Sequence, residues 1–124
     1  MATQPGPQSL RLFVDGYGNG GFRIGGERHE GSLFVLPDRV LGWAVTAFAE
    51  ADVAGFEPFL EAAADVELLL IGAGPRLLPV PGEVRAACRR AGIAVEPMDT
   101  GAAARTYNVL LAEDRRVAAA LIAV

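Results

Sequence analysis

The sequence contains no lysine, one histidine (His29) and one cysteine (Cys88). A lone cysteine excludes an internal disulfide, and one histidine with one cysteine is too few for a closed structural metal site. All 11 basic residues are arginines, and 15 acidic residues bring the formal charge to −4. This charge argues against a nucleic-acid partner, which needs a positive surface. The apolar runs are far too short to cross a bilayer, so no membrane insertion is expected.

The length and composition predict one globular domain. The chain has 124 residues, of which 52% are hydrophobic, and at this size roughly two thirds of the unfolded surface can be buried. Residues 1–9 have neither the basic start nor the apolar stretch of a secretory signal, so we expect a disordered tail there. Residues 10–124 are expected to form the domain, in the cytoplasm and without a cofactor or a metal.

The first part of the chain has the pattern of short strands. We expect a strand over 10–14 and a loop over 15–21, where four glycines disfavour regular structure. Gly25-Gly26 predicts a tight hairpin that leads into a longer strand over 28–36. Residues 33–36 are apolar on both faces, so this part of the strand is expected to be covered on both sides.

The middle of the chain mixes β and helical signals. A β element is predicted over 40–45, with Trp43 as its largest packing unit. A helix is predicted over 56–63, in which Pro58 would be tolerated because it falls in the first turn.

The second half predicts a parallel sheet with helices on its faces. Strands over 66–71, 93–97 and 117–124 are almost continuously apolar, and helices over 81–91 and from Thr100 onward lie between them. Together with the early hairpins this pattern predicts an α/β domain with a mixed sheet. The last helix has one apolar face at a 3.6-residue period, formed by Ala103, Ala104, Tyr107, Leu110 and Leu111.

Candidate binding residues follow two of these strands. Gly72-Ala-Gly74 lies between a strand and a helix, as phosphate loops do, but it lacks the remaining motif residues, so a tight strand exit is the alternative. Asp99 lies where open α/β sheets place ligands, and it is also the residue type that caps a helix. With Arg76 and Arg105, these residues would line a small-molecule cleft.

Arg105 is poorly explained by folding. It lies about 160° around the helix from the predicted buried face, near Val109 and other small apolar residues. A guanidinium in such surroundings is suited to holding a carboxylate or a carbonyl of a protein partner. An ion pair within the chain, with Glu113 or another acid, is the alternative.

Two other reactive side chains have simpler interpretations. His29 and Ser32 could suggest a base and a nucleophile, but their odd spacing on one strand places them on opposite faces. Cys88 shares a helical face with Val84 and Ala91, which predicts a buried, unreactive thiol. No catalytic residue is therefore assigned.

Several segments together resemble the small Mth-type domain family of unknown function. They are Gly16–Ile24, Gly31-Ser32, Trp43, Leu69–Gly74 and Gly92–Leu111, and the Met-Asp-Thr to Arg-Thr-Tyr-Asn block over 98–108 is the most specific. The family includes a mitochondrial complex I (NADH:ubiquinone oxidoreductase) assembly factor and an adipogenesis-associated protein. The resemblance implies a three-layer β+α/β/α fold with a mixed central sheet, and it implies no catalytic residue.

The sequence departs from this family at two positions. The resemblance implies that many bacterial members have Cys before the Arg and Gly-Thr-Gly in the loop, where this chain has Ala104 and Ala73. Thiol chemistry at position 104 is therefore excluded, while a binding role for Arg105 and Asn108 survives.

The resulting interpretation is a non-enzymatic, assembly-factor-like protein that acts through a protein partner, and self-association into a homo-oligomer stays open. The alternative is a small-molecule-binding protein or a weak enzyme that uses the cleft near Gly72–Arg76, Asp99 and Arg105.

Overall fold

The structure, a computed structural model, describes residues 11–124, so the predicted tail over 1–9 lies outside the described residues. This part of the chain forms eight strands and three α-helices, with a 3-10 turn at Phe48–Glu50. In chain order they are β1 Val14–Gly18, β2 Gly21–Ile24, β3 Glu27–Glu30, β4 Leu33–Leu36, β5 Arg39–Gly42, α1 Val53–Ala62, β6 Leu68–Gly72, α2 Gly82–Arg90, β7 Ala94–Met98, α3 Thr100–Ala112 and β8 Val117–Leu121.

The strands form two sheets. The small sheet is antiparallel with the order β1-β2-β3, and the large sheet has the order β5-β4-β8-β6-β7. In the large sheet β6 runs parallel to β7 and β8, while β4 is antiparallel to β5 and β8. The predicted mixed sheet is confirmed.

The helices cover both faces of the large sheet. The chain crosses from β6 to β7 through α2 and returns to β8 through α3, and two right-handed crossovers in opposite directions place their helices on opposite faces. One core joins the large sheet to α1 and α2, and the other joins it to α3 and the small sheet. The three-layer β+α/β/α architecture is therefore confirmed.

The predicted boundary between strand and glycine loop at residue 15 is wrong. Strand β1 extends to Gly18, because glycines can form ladder hydrogen bonds, and Gly16 pairs with Arg23 beyond a bulge. The left-handed backbone is confined to the turn itself, at Gly18, Asn19 and Gly20.

The predicted strand over 28–36 is in fact two strands in different sheets. Gly31 has a φ of +82°, which breaks the extended conformation. Ser32 then accepts a hydrogen bond from the backbone of Ala123 through its Oγ, at 2.9 Å. The four residues of β4 are buried, as the apolar pattern predicted.

The predicted start of α1 is also wrong. The helix begins at Val53, because the Asp52 side chain accepts a hydrogen bond from Gly55 N and caps it. Pro58 is therefore an interior residue that costs the helix one backbone hydrogen bond. Phe56 and Phe59 compensate by packing with Phe34, whose ring also stacks on Trp43 at 4.9 Å.

Candidate functional site

The start of α3 is fastened to the ends of two strands. Asp99 is the N-cap, since its side chain accepts a hydrogen bond from Ala102 N at 2.8 Å. The next residue, Thr100, is fully buried. Its hydroxyl accepts from Gly74 N at 3.0 Å and donates to Ile122 O at 2.8 Å. One side chain thus joins α3 to the segments that follow β6 and β8.

The Gly72–Gly74 loop has the geometry of a tight strand exit. The N–H of Ala73 donates to Met98 O, and that of Gly74 donates to the Thr100 hydroxyl, so neither amide is available to an anion. A Cβ at Gly72 would lie 2.8 Å from the Cα of Thr100. Close packing therefore explains the glycine at position 72, and a φ of +108° explains Gly74.

Arg76 lies on the opposite side of the large sheet from α3. It is exposed and lines a groove of about 490 Å³ together with Phe48, Leu78 and Ile122. These three residues pack with the α1 and α2 core. Asp99 caps α3, Arg105 lies within it, and neither lines this groove, so the structure separates the residues of the predicted cleft.

Arg105 is exposed, and its partner lies on β1. Its Nη1 donates a hydrogen bond to the hydroxyl of Tyr17 at 2.9 Å. Within residues 11–124, none of the ion pairs includes Arg105, so an acid at Glu113 or elsewhere does not neutralise it. The Tyr17 hydroxyl also lies over Gly101, where an added Cβ would be 2.6 Å from it.

Val109 lies one helical turn beyond Arg105 and is 56% exposed. Tyr17, whose hydroxyl holds Arg105, is 43% exposed. We name Tyr17, Arg105 and Val109 the α3 surface. It combines a charge without an acidic partner with exposed apolar area, which is the composition of a binding surface.

Asn108 faces β1. Its Oδ1 accepts a hydrogen bond from Val14 N and its Nδ2 donates to Val14 O, each at 2.8 Å. The neighbouring Tyr107 is fully buried, and its hydroxyl donates to Leu12 O at 2.8 Å. Burial raises the pKa of Tyr107, so the phenol stays protonated and remains a donor. Both residues fasten α3 to the N-terminal segment.

The remaining reactive groups do not assemble a catalytic or metal site. His29 Nε2 lies 3.7 Å from Glu27 Oε1, while Ser32 bonds to the backbone of Ala123. Cys88 is buried as predicted, and burial raises the pKa of its thiol. Among residues 11–124 no group of three or more His, Cys, Asp or Glu side chains could hold a metal ion.

Tyr17 was missed from the sequence. It lies between two glycines of a segment predicted as a loop, and its partner is 88 residues away in the chain. The available signal was an aromatic residue between Gly16 and Gly18, where no periodic pattern gave it a place in the core.

The family model described as "Protein of unknown function (DUF498/DUF598)" matches residues 14–122. The chain belongs to this family. The resemblance to Mth-type domains is thereby confirmed, and a solved structure supports it directly. A Mth938-like domain from Bordetella pertussis superimposes with a TM-score of 0.78 at 29% identity, covering 98% of this chain and 90% of that one.

Two other proteins match this chain at higher identity. An uncharacterised protein of Rhodobacter capsulatus is 41% identical over 90% of this chain and 84% of its own length. A structure described as an outer membrane protein from Bartonella henselae has a TM-score of 0.85 at 43% identity, covering 91% and 95% of the two chains. In residues 11–124 of the present chain, no helix has the length and apolar character needed to span a membrane.

Eukaryotic relatives carry a functional name. The human "NADH dehydrogenase [ubiquinone] 1 alpha subcomplex assembly factor 3" is 35% identical over 90% of this chain. This chain spans 60% of the length of that assembly factor.

Proposed function

We propose that this protein is a cytoplasmic, non-enzymatic binding protein of the assembly-factor type, and that the α3 surface contacts its protein partner. The observation that carries the proposal is the exposed Arg105, which is held by the Tyr17 hydroxyl and has no acid to neutralise it among the described residues. The relatives named as assembly factors support a role that is exercised through other proteins.

The geometry favours recognition of a carboxylate or a carbonyl. The Tyr17 hydroxyl holds the guanidinium at one nitrogen, so its other N–H groups can donate to a partner. A pre-positioned arginine loses less side-chain entropy on binding than a mobile one. Val109 and the Tyr17 ring would supply the apolar contact around the charged group.

The test is affinity purification from the native organism with mass-spectrometric identification of the proteins that co-elute. We expect wild type to retain a partner that Arg105→Ala loses, since truncation of an interfacial arginine can cost about 2 kcal/mol or more. Arg90→Ala is the matched control, because Arg90 is an exposed arginine on α2. Retention of every partner by a folded Arg105→Ala protein contradicts the proposal.

Gly101→Ala provides a second probe of the same surface. The added methyl group would displace the Tyr17 hydroxyl from Arg105 without removing either side chain. Weaker partner retention by this variant would show that the pairing itself contributes to recognition. If this variant retains the partner as well as wild type does, recognition depends on the charge of Arg105 and not on its position.

A further inference from the structure

Three of the four edge strands in the described part of the fold carry a feature that blocks further strand pairing. On β1 the Asn108 side chain occupies both backbone groups of Val14. All four residues of β3 are polar or charged. On β7 Pro97 has no N–H, and Val95 O accepts a hydrogen bond from Arg85. Such features are typical of edges protected from association.

Strand β5, the remaining edge, has no such protection in its interior. Trp43 N donates to Ser32 O, so these two opposite residues form a hydrogen-bonded pair. This bond fixes which of the opposite residues of β4 and β5 are hydrogen-bonded to each other. Because these pairs alternate, Leu41 bonds to β4, whereas Val40 and Gly42 direct their N–H and C=O groups away from the sheet. Within residues 11–124 nothing else pairs with these groups.

The surroundings of this edge are acidic at the end of β5. Arg39 begins β5, and residues 40–75 after it contain six acids and no basic residue. A cleft of about 450 Å³ at the end of β5 is lined by Gly42, Glu50 and Asp52. A second cleft, of about 520 Å³, lies at the start of β5, where Glu61 and Asp65 share the lining with Arg39 and three other arginines, so its charges are balanced. The unbalanced acids beside the open edge are therefore Glu50 and Asp52, at the end of β5.

We propose that the outer edge of β5 accepts an extended, arginine- or lysine-containing segment of a protein partner as an added strand. Backbone groups of Val40 and Gly42 would supply the hydrogen bonds, and Glu50 and Asp52 beside the end of β5 would select a basic segment. A second copy of this chain fits less well. Antiparallel pairing of two β5 strands in one continuous sheet would place two acidic α1 helices on the same face. This site is separate from the α3 surface.

The experiment measures hydrogen exchange of backbone amides by NMR while a peptide of alternating lysine and valine is added. In the free protein we expect the Val40 and Gly42 amides to exchange fast and the Leu41 amide to be protected. With peptide at millimolar concentration, the Val40 and Gly42 amides should become protected. A peptide of alternating glutamate and valine, and a lysine-valine peptide methylated on alternate amides, should give no protection.

Two variants at one position isolate the backbone contribution. Gly42→Pro removes the outward N–H, and we expect the lysine-valine peptide to bind about tenfold more weakly or worse. Gly42→Ala keeps that N–H and adds a Cβ where nothing lies within 4 Å, so it should bind like wild type.

Asp52→Asn keeps the capping group of α1 but loses a charge, and it should bind more weakly than wild type.

Four results would overturn the proposal. They are equal binding of the glutamate peptide, undiminished binding by a folded Gly42→Pro protein, absence of protection at millimolar lysine-valine peptide, and protection that rises with protein concentration alone. The last result, with a dimer in sedimentation, would assign the edge to a second copy of this chain. Arg105→Ala should bind the peptide like wild type, so failure of this proposal and failure of the α3 surface are distinguishable.

Discussion

The Asn108 side chain bonds to both the N–H and the C=O of Val14, each at 2.8 Å, and so holds β1 against α3. Val14 is buried, which leaves its backbone groups without water as a substitute. We expect Asn108→Ala to lower the free energy of unfolding by about 1–3 kcal/mol, the cost of unsatisfied buried groups. Denaturant unfolding measures this loss. A change in the free energy of unfolding below about 0.5 kcal/mol would contradict the role of Asn108 in holding β1 to α3. Asn108 would then again be a candidate binding residue.

Two substitutions of Tyr107 distinguish the contribution of packing from that of hydrogen bonding to the free energy of unfolding. Tyr107→Phe keeps the ring and removes the bond to Leu12 O, so we expect a loss of about 1 kcal/mol in the free energy of unfolding. Tyr107→Ala also opens a cavity at a fully buried position and should cost roughly 3–5 kcal/mol. Arg105→Ala, at an exposed position of the same helix, should cost less than about 0.5 kcal/mol. If all three variants lost similar stability by denaturant unfolding, this assignment of the helix faces would be wrong.

Two glycines near Thr100 should respond differently to alanine. At Gly72 the new Cβ would meet the Thr100 backbone at 2.8 Å, and we expect a loss of about 1–3 kcal/mol from overpacking. At Gly101 the nearest group is the end of the exposed Tyr17 side chain, which can move. Alanine also favours the helix by about 0.5–1 kcal/mol. Melting temperatures of the two variants, measured side by side, should therefore separate, and equal losses would contradict this account.

Cys88 should react slowly with a thiol reagent in the native protein and readily in denaturant. The side chain is buried, and burial also raises the pKa of the thiol, so the reactive thiolate is rare in the folded state. The pKa of the Cys88 thiol is higher in the folded protein than in the unfolded chain. The protonated thiol therefore stabilises the folded protein relative to the thiolate, and this stability is present below the unfolded pKa and is lost as pH rises through the folded pKa. Equal reaction rates in native and denaturing conditions would place Cys88 on an exposed face.

Glu50 should make stability sensitive to acid. Its Oε1 accepts hydrogen bonds from Thr46 N at 2.7 Å and from Ala47 N at 3.2 Å, and these bonds lower the pKa of the carboxyl, with the Thr46 backbone as the largest cause. The stability that follows is present above the unfolded pKa and is lost as pH falls through the lowered folded pKa. We expect the difference in unfolding free energy between wild type and Glu50→Gln to shrink on acidification. A difference independent of pH would contradict this role.

The features of the fold that depend on neighbouring residues in the chain could be predicted from the sequence. Asp99 and the apolar face of α3 could be read from residues within a few turns, because capping and helical periodicity are local properties. The structure confirms the cap and the buried face, in which Leu110 is half-buried. The mixed sheet followed equally directly from runs of apolar residues.

Contacts between distant segments could not be read in the same way. The pairing of Arg105 with Tyr17 joins residues 88 positions apart, and glycines on both sides of Tyr17 masked the strand that positions it. Pro58 suggested a helix start because a proline is costly inside a helix. In the structure Pro58 lies inside α1, and the packing of four aromatic rings in the core offsets its cost, which a local rule cannot predict.

The position of β8 has a consequence for synthesis on the ribosome. This strand lies in the middle of the large sheet, between β4 and β6, yet among residues 11–124 it follows all the other strands. Leu33 pairs with Leu121, so the β4–β5 hairpin has no hydrogen-bonded link to the β6–β7 pair until β8 has emerged. Until then the apolar strands β4 and β6 each present an unpaired edge, and contacts of such long sequence separation also form slowly. The nascent chain therefore depends on protection from aggregation until β8 has been added.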